Sequence, residues 1–145
     1  MINDENKRKG RVMGVDFGDA RTGIAISDVT GFLASGVGVL RATGIKSAAR
    51  AVANEAKRHG VVLIVIGNPI NMDGTEGPRS ERVRAFAEQV ATLTRLPVEL
   101  FDERLTTAAA HRIMNETDTR GRRRKGAVDA LSAEIILQNY LDSHK

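Results

Sequence analysis

The chain has 145 residues, of which 41% are hydrophobic, 28% charged and 3% aromatic, with no cysteine and a net charge of +4. This length and mix support one core and exclude a wholly disordered chain. The missing cysteine excludes a disulfide scaffold, a thiolate metal site and a cysteine nucleophile, and suits a cytoplasmic protein.

Residues 1–10 are polar and of mixed charge, read as a frayed start, with no secretory signal and no bilayer-spanning segment anywhere. The apolar run Arg11 to Phe17 predicts a buried strand ending at Asp16. Gly18 to Arg21 reads as a turn into a second strand, Thr22 to Ser27, so the two form a hairpin. A weak third strand is expected near Val37 to Arg41. Ile45 to His59 has a helical pattern closed by Gly60. Val61 to Ile66 is uninterruptedly apolar, as in a central strand covered on both faces. After the turn-rich loop Gly67 to Gly77, Pro78 marks a helix start with Arg79 to Thr94 as its body. Pro97 to Phe101 is a further strand that exits through Asp102 to Leu105. Thr106 to Met114 predicts a short helix, Asn115 to Gly126 a polar segment, and Ala127 to Leu141 a final helix. The resulting expectation is one α/β domain over residues 11–142 with a tail at 143–145. Three strands form an antiparallel meander, and strand–helix alternation then adds parallel strands.

Four acids stand at the edge where open α/β sheets gather ligands: Asp16 near the end of the first strand, the pair Asp102 and Glu103 at the end of the last strand, and Asp129 in the first turn of the final helix. Converging carboxylates without His or Cys are hard oxygen ligands, suited to Mg²⁺ or Mn²⁺. Two such ions can activate water and stabilise the leaving oxygen of a phosphodiester. The plainer reading makes Asp16 a turn residue and Asp129 a helix-terminus charge. Gly18 and Gly23 can bring backbone N–H groups to a phosphate, or simply serve a tight hairpin. In the long loop, Asn68, Asp73 and Glu76 either contact a ligand or build turns and caps. The helix start that follows can hold an anion beside Arg79 and Ser80. Arg120, Arg122, Arg123, Arg124 and Lys125 carry the charge excess, since without these five of the 22 basic residues the chain is one charge negative. That run leads toward Asp129 and favours a polyanion backbone near the acids.

The segments Gly14 to Ala25, Asn71 to Ser80, Asp102 to Thr107, Val128 to Ala133 and Ile136 to Leu141 together resemble the YqgF/RuvX family. Its members are described as pre-16S ribosomal RNA nucleases and as Holliday-junction resolvases. The resemblance implies an RNase H-like fold, a five-stranded mixed sheet flanked by helices. It also implies a divalent-metal nuclease whose catalytic ligands correspond to Asp16, Glu103 and Asp129, with Asp102 in support. Ser132 stands three positions after Asp129, where related resolvases carry a fourth acid. Arg21, Arg79, Arg104 and the run Arg122 to Lys125 are the expected contacts to structured RNA or branched DNA, and low aromatic content argues for phosphate recognition over base stacking. The resemblance favours maturation of the 5′ end of pre-16S ribosomal RNA. A junction resolvase, which needs a two-fold homodimer, is the alternative. A non-catalytic nucleic-acid-binding maturation factor and a small relic of the actin-like ATPases are readings from other classes.

Overall fold

Apolar runs a few residues long, at Arg11–Asp16, Arg21–Ser27 and Val61–Asn68, become strands buried on both faces. In the computed structural model, which describes residues 10–105 and 130–144, five strands share one sheet in the order β3-β2-β1-β4-β5. They are β1 (Arg11–Asp16), β2 (Arg21–Ser27), β3 (Ala34–Arg41), β4 (Val61–Asn68) and β5 (Val98–Asp102). The first three are antiparallel neighbours, while β4 and β5 run parallel to β1. This is the mixed sheet expected from the order of elements. Three α-helices flank it among the described residues: α1 (Ile45–Arg58), α2 (Pro78–Thr94) and α3 (Leu131–Ser143).

Alternation along the strands divides two cores. Met13, Val15, Ile24, Ile64 and Ile66 pack with Val52 of α1 and with Val83, Phe86 and Val90 of α2. On the opposite face Val12, Ala25, Leu63, Val65 and Phe101 pack with Ala133, Ile136, Leu137 and Tyr140 of α3. A β-carbon on Gly14 would stand 2.6 Å from Leu137 Cβ and 2.9 Å from the Ala133 carbonyl oxygen, so the missing side chain lets α3 lie directly on β1.

The direction of α3 follows from two hydrogen bonds. Gly36 N–H donates to Glu134 Oε1 (3.0 Å) and Ala34 N–H to Gln138 Oε1 (2.9 Å). Later helix residues meet earlier residues of β3, which runs parallel to β1. The N-terminus of α3 therefore lies at the carboxyl ends of β1, β4 and β5.

Three expectations are corrected. β3 begins at Ala34, well before Val37, because Ser27 and Ala25 of β2 pair with Ala34 and Gly36 while α3 side chains satisfy the same two N–H groups. The described final helix runs from Leu131 to Ser143, with Ala130 at its N-cap, so Asp129 precedes the cap in sequence. The tail is shorter than expected, since Ser143 is helical and the His144 ring stacks on Tyr140 at 4.0 Å between centroids. The expected helix Thr106 to Met114 lies outside the described residues, as do the polar segment after it and Ala127 to Asp129.

Candidate active site

Asp16 is the last residue of β1, and its neighbours in register leave it an open surround. It pairs with Gly23 on β2, and the parallel register Val15↔Ile66 places it beside Gly67 on β4. Alternation from Val12 through Gly14 sends its carboxyl to the α3 face, where both flanking positions lack side chains. The result is a shelf of two bare strand positions flanking a half-buried carboxylate. Burial pushes the Asp16 carboxyl above its ordinary value, and the Arg79 guanidinium pulls it partly back.

Glu103 reaches the same shelf from β5. The chain leaves Asp102 in a 3-10 turn, Glu103–Leu105, which folds Glu103 back across β4. Its Cδ lies 3.2 Å from the point where a β-carbon on Gly67 would stand, and Ile136 Cδ1 fills the rest of that space at 2.5 Å. Burial raises the Glu103 carboxyl, the charges of Asp16 and Asp102 raise it further, and Arg79 opposes them. Neither Asp16 nor Glu103 accepts a hydrogen bond from any described residue. Two adjacent, half-buried carboxylates without donors call for a cation. With oxygen donors alone, this set fits a hard divalent ion. Among the described residues no group of three or more His, Cys, Asp or Glu side chains is placed to hold a metal. The third expected acid, Asp129, lies outside the described residues, although α3 points its N-terminus at this shelf.

Arg79 is exposed in the first turn of α2, with Gly77 at the N-cap and Pro78 at the first helical position. With Arg82 and Val83 it walls a cleft floored by Phe17, Gly18 and Asp19, immediately past Asp16. Arg82 closes one side by donating from Nε (2.9 Å) and Nη2 (2.5 Å) to Asp19 Oδ1. Both residues were absent from the expected site, since their 63-residue separation hides the pair from sequence.

Asp102 follows a different course from the other two acids, since its carboxyl is taken up by an arginine. Alternation along β5 turns it away from α3, and Arg104 holds both its oxygens, with Nε–Oδ1 at 3.1 Å and Nη2–Oδ2 at 2.8 Å. That clasp holds the Asp102 carboxyl below its usual range. The loop residues take the turn-and-cap reading. Asp73 accepts from Thr75 N–H (3.0 Å) and Thr75 Oγ1 (2.6 Å). Buried Ser80 Oγ lies 2.6 Å from Asn68 Oδ1 and 2.6 Å from Glu76 Oε1, and Arg84 Nη2 donates to Glu76 Oε2 at 2.9 Å. This network anchors the loop to α2 and holds Glu76 near a pKa of about 2. Arg21 is exposed at the start of β2. Arg122, Arg123, Arg124 and Lys125 lie outside the described residues.

Residues 10–143 match the family model described as RuvX, Holliday junction resolvase. The chain belongs to the RuvX family. A curated relative from Ruminiclostridium cellulolyticum is 44% identical over 91% of this chain and 94% of its own length. One from Myxococcus xanthus is 44% identical over 93% of this chain and 89% of its own. Both carry the name "Putative pre-16S rRNA nuclease". Among solved structures, Thermus thermophilus RuvC in complex with a Holliday junction substrate superposes with a TM-score of 0.63, at 14% identity, over 93% of this chain and 95% of that one. The fowlpox virus Holliday junction resolvase gives 0.57, at 15% identity, over 92% and 99%. At these identities the structural likeness establishes the RNase H-like fold of the resolvases.

Proposed function

We propose that this RuvX-family protein cleaves structured RNA in the maturation of the 5′ end of pre-16S ribosomal RNA in the cytoplasm. As a member of the family it is a nuclease, a hydrolase of phosphodiester bonds. The observation that carries the site assignment is the meeting of Asp16 and Glu103 on the glycine shelf at the carboxyl ends of β1 and β4. We assign Asp16, Glu103 and Asp129 as ligands of Mg²⁺ or Mn²⁺, two ions in the full site. When bound, such ions supply an activated water and stabilise the leaving oxygen. The chain's own residues do the rest. Gly67 makes room for Glu103 beside Asp16, and Gly23 puts no side chain on its other flank. Arg79, across the cleft, neutralises part of the acid pair and is within reach of the backbone. Arg21, Arg122, Arg123, Arg124 and Lys125 hold further phosphates. Arg104 keeps Asp102 in place. Among the described residues no helix is long and apolar enough to cross a membrane.

The likeness to RuvC on its junction favours one second reading, a resolvase of branched DNA acting as a two-fold homodimer. Parallel cleavage assays separate the two readings. A pre-16S precursor RNA and a four-way DNA junction are incubated with Mg²⁺, with Mn²⁺ and with chelator, using wild type and Asp16→Asn. Metal-dependent cutting of the RNA alone, lost in Asp16→Asn, supports RNA maturation. Symmetric cutting of the junction by a dimer supports the resolvase. Salt-dependent binding with no cleavage of either substrate overturns the nuclease assignment.

A further inference from the structure

Arg21 and Arg41 stand directly opposite one another on β2 and β3. Both are exposed, and neither has a hydrogen-bond or ion-pair partner among the described residues. Like charges directly opposed across a strand pair destabilise a sheet. By contrast Arg82, Arg84 and Arg104 each hold a carboxylate.

Register places this pair on the face of the acids. Asp16 is opposite Gly23, and Arg21 lies two residues from Gly23 on the same side of β2. Leu40, between Val39 and Arg41, packs instead into the α1 and α2 core, which confirms that Arg41 faces the other way. The described part of α3 does not reach the pair. Glu134 meets Gly36, and Arg41 is five residues further along β3. Those five residues span roughly 16 Å of strand. From Glu134 back to Leu131 the helix covers only roughly 5 Å.

We propose that Arg21 and Arg41 form a phosphate clamp for the nucleic-acid backbone, a subsite flanking the shelf of Asp16 and Glu103. The proposal rests on the nuclease reading above. The two Cβ atoms of a directly opposed pair are about 4.5–5.5 Å apart, so two guanidinium forks can converge on one phosphate. The strand that carries Arg41 is two strands from β1, roughly 10 Å across the sheet, and the pair stands roughly 7 Å beyond Gly23 along the strands. A phosphate held there belongs to the stretch beside the one presented to the acids. An anion between the arginines also relieves their repulsion, so the cost of opposing them is recovered only in the complex.

The test uses the full chain carrying Asp16→Asn, with a labelled pre-16S precursor RNA hairpin and a labelled four-way junction, and reads affinity across a salt series. Each phosphate contact contributes about 0.7–0.9 to the slope of log K against log salt. Arg41→Gln is expected to lower that slope by about one such contact, and Arg21→Gln with Arg41→Gln by more. Arg50→Gln, on an exposed position of α1 across the sheet, is expected to leave it unchanged. Arg41→Glu creates an attractive pair with Arg21, so it is expected to raise the melting temperature while weakening binding. An unchanged slope in both arginine variants, with parent binding intact, overturns the clamp and leaves the nuclease reading standing. A parent that binds neither nucleic acid overturns both.

Discussion

The side chain of Glu103 lies across Gly67, its carboxyl carbon 3.2 Å from where a β-carbon on that glycine would stand. Glycine here is a condition for the acid pair, because the fifth strand's acid can reach the first strand's acid only over a bare fourth strand. Gly67→Ala would also meet Ile136 Cδ1 at 2.5 Å, and that flexible end can yield where the Glu103 carboxyl cannot without leaving its place. The expected stability loss is about 1–3 kcal/mol, as for other overpacked sites. The expected fall in cleavage rate is on the order of 10–100-fold, because small misplacements of reacting groups are costly. Thermal melts beside kcat measurements check this, and a variant with full kcat would show that Glu103 is not held by that contact.

Much of this was legible before the fold was known. Apolar runs announced β1 and β4, glycine and proline bounded the helices, and an acid closing an apolar strand pointed to Asp16. What stayed hidden depends on register and on long-range contact. Arg41 is an unremarkable basic residue until the β2–β3 pairing opposes it to Arg21. The chain cannot announce that Arg79 faces Asp16, since their approach depends on α2 packing against the sheet. Arg104 reads as a phosphate ligand in isolation, yet its guanidinium is committed to Asp102 two residues away. The start of β3 is hidden in the sequence because its glycine-rich stretch has weak strand propensity, and its N–H groups are satisfied by α3 side chains about a hundred residues later.

The clasp of Asp102 and Arg104 predicts coupled variants. If Asp102 acts by holding Arg104 and the turn that carries Glu103, Asp102→Asn and Arg104→Gln will lower kcat to similar extents, and the double variant will be no worse than either alone. Each is expected to retain far more activity than Asp16→Asn. The pair is partly exposed, so its effect on stability should be small beside its effect on kcat. A double-variant loss equal to the product of the single losses would show that the two residues act independently.

Glu76 predicts an acid-dependent term in stability. Arg84 and Ser80 hold its carboxyl at about 2, below the ordinary 4.5. A lowered folded value means that its contribution is complete above about pH 4.5 and is lost as the pH falls toward about 2. Glu76→Gln should therefore lower the melting temperature most at neutral pH, with the difference from wild type narrowing through that window. Melts in a graded series of buffers check this. A difference independent of pH would assign the effect to packing of the loop and not to the carboxylate.

Asp16 predicts the opposite sign in the protein freed of metal. Its carboxyl is raised by burial, so the folded chain carries an ionised group that the unfolded chain solvates better. Asp16→Asn removes that charge and keeps the shape, and its melting temperature in chelator at neutral pH should exceed that of wild type even though cleavage is abolished. Adding Mg²⁺ should then separate the two proteins. Wild type gains about 2.7 kcal/mol of stability at a free metal concentration 100 times its Kd, whereas Asp16→Asn gains less at the same concentration. Calorimetric melts with and without Mg²⁺ read both effects without relying on a substrate. A wild-type protein already more stable than Asp16→Asn in chelator would mean that the carboxylate is satisfied within the fold, and its assignment as a metal ligand would fail.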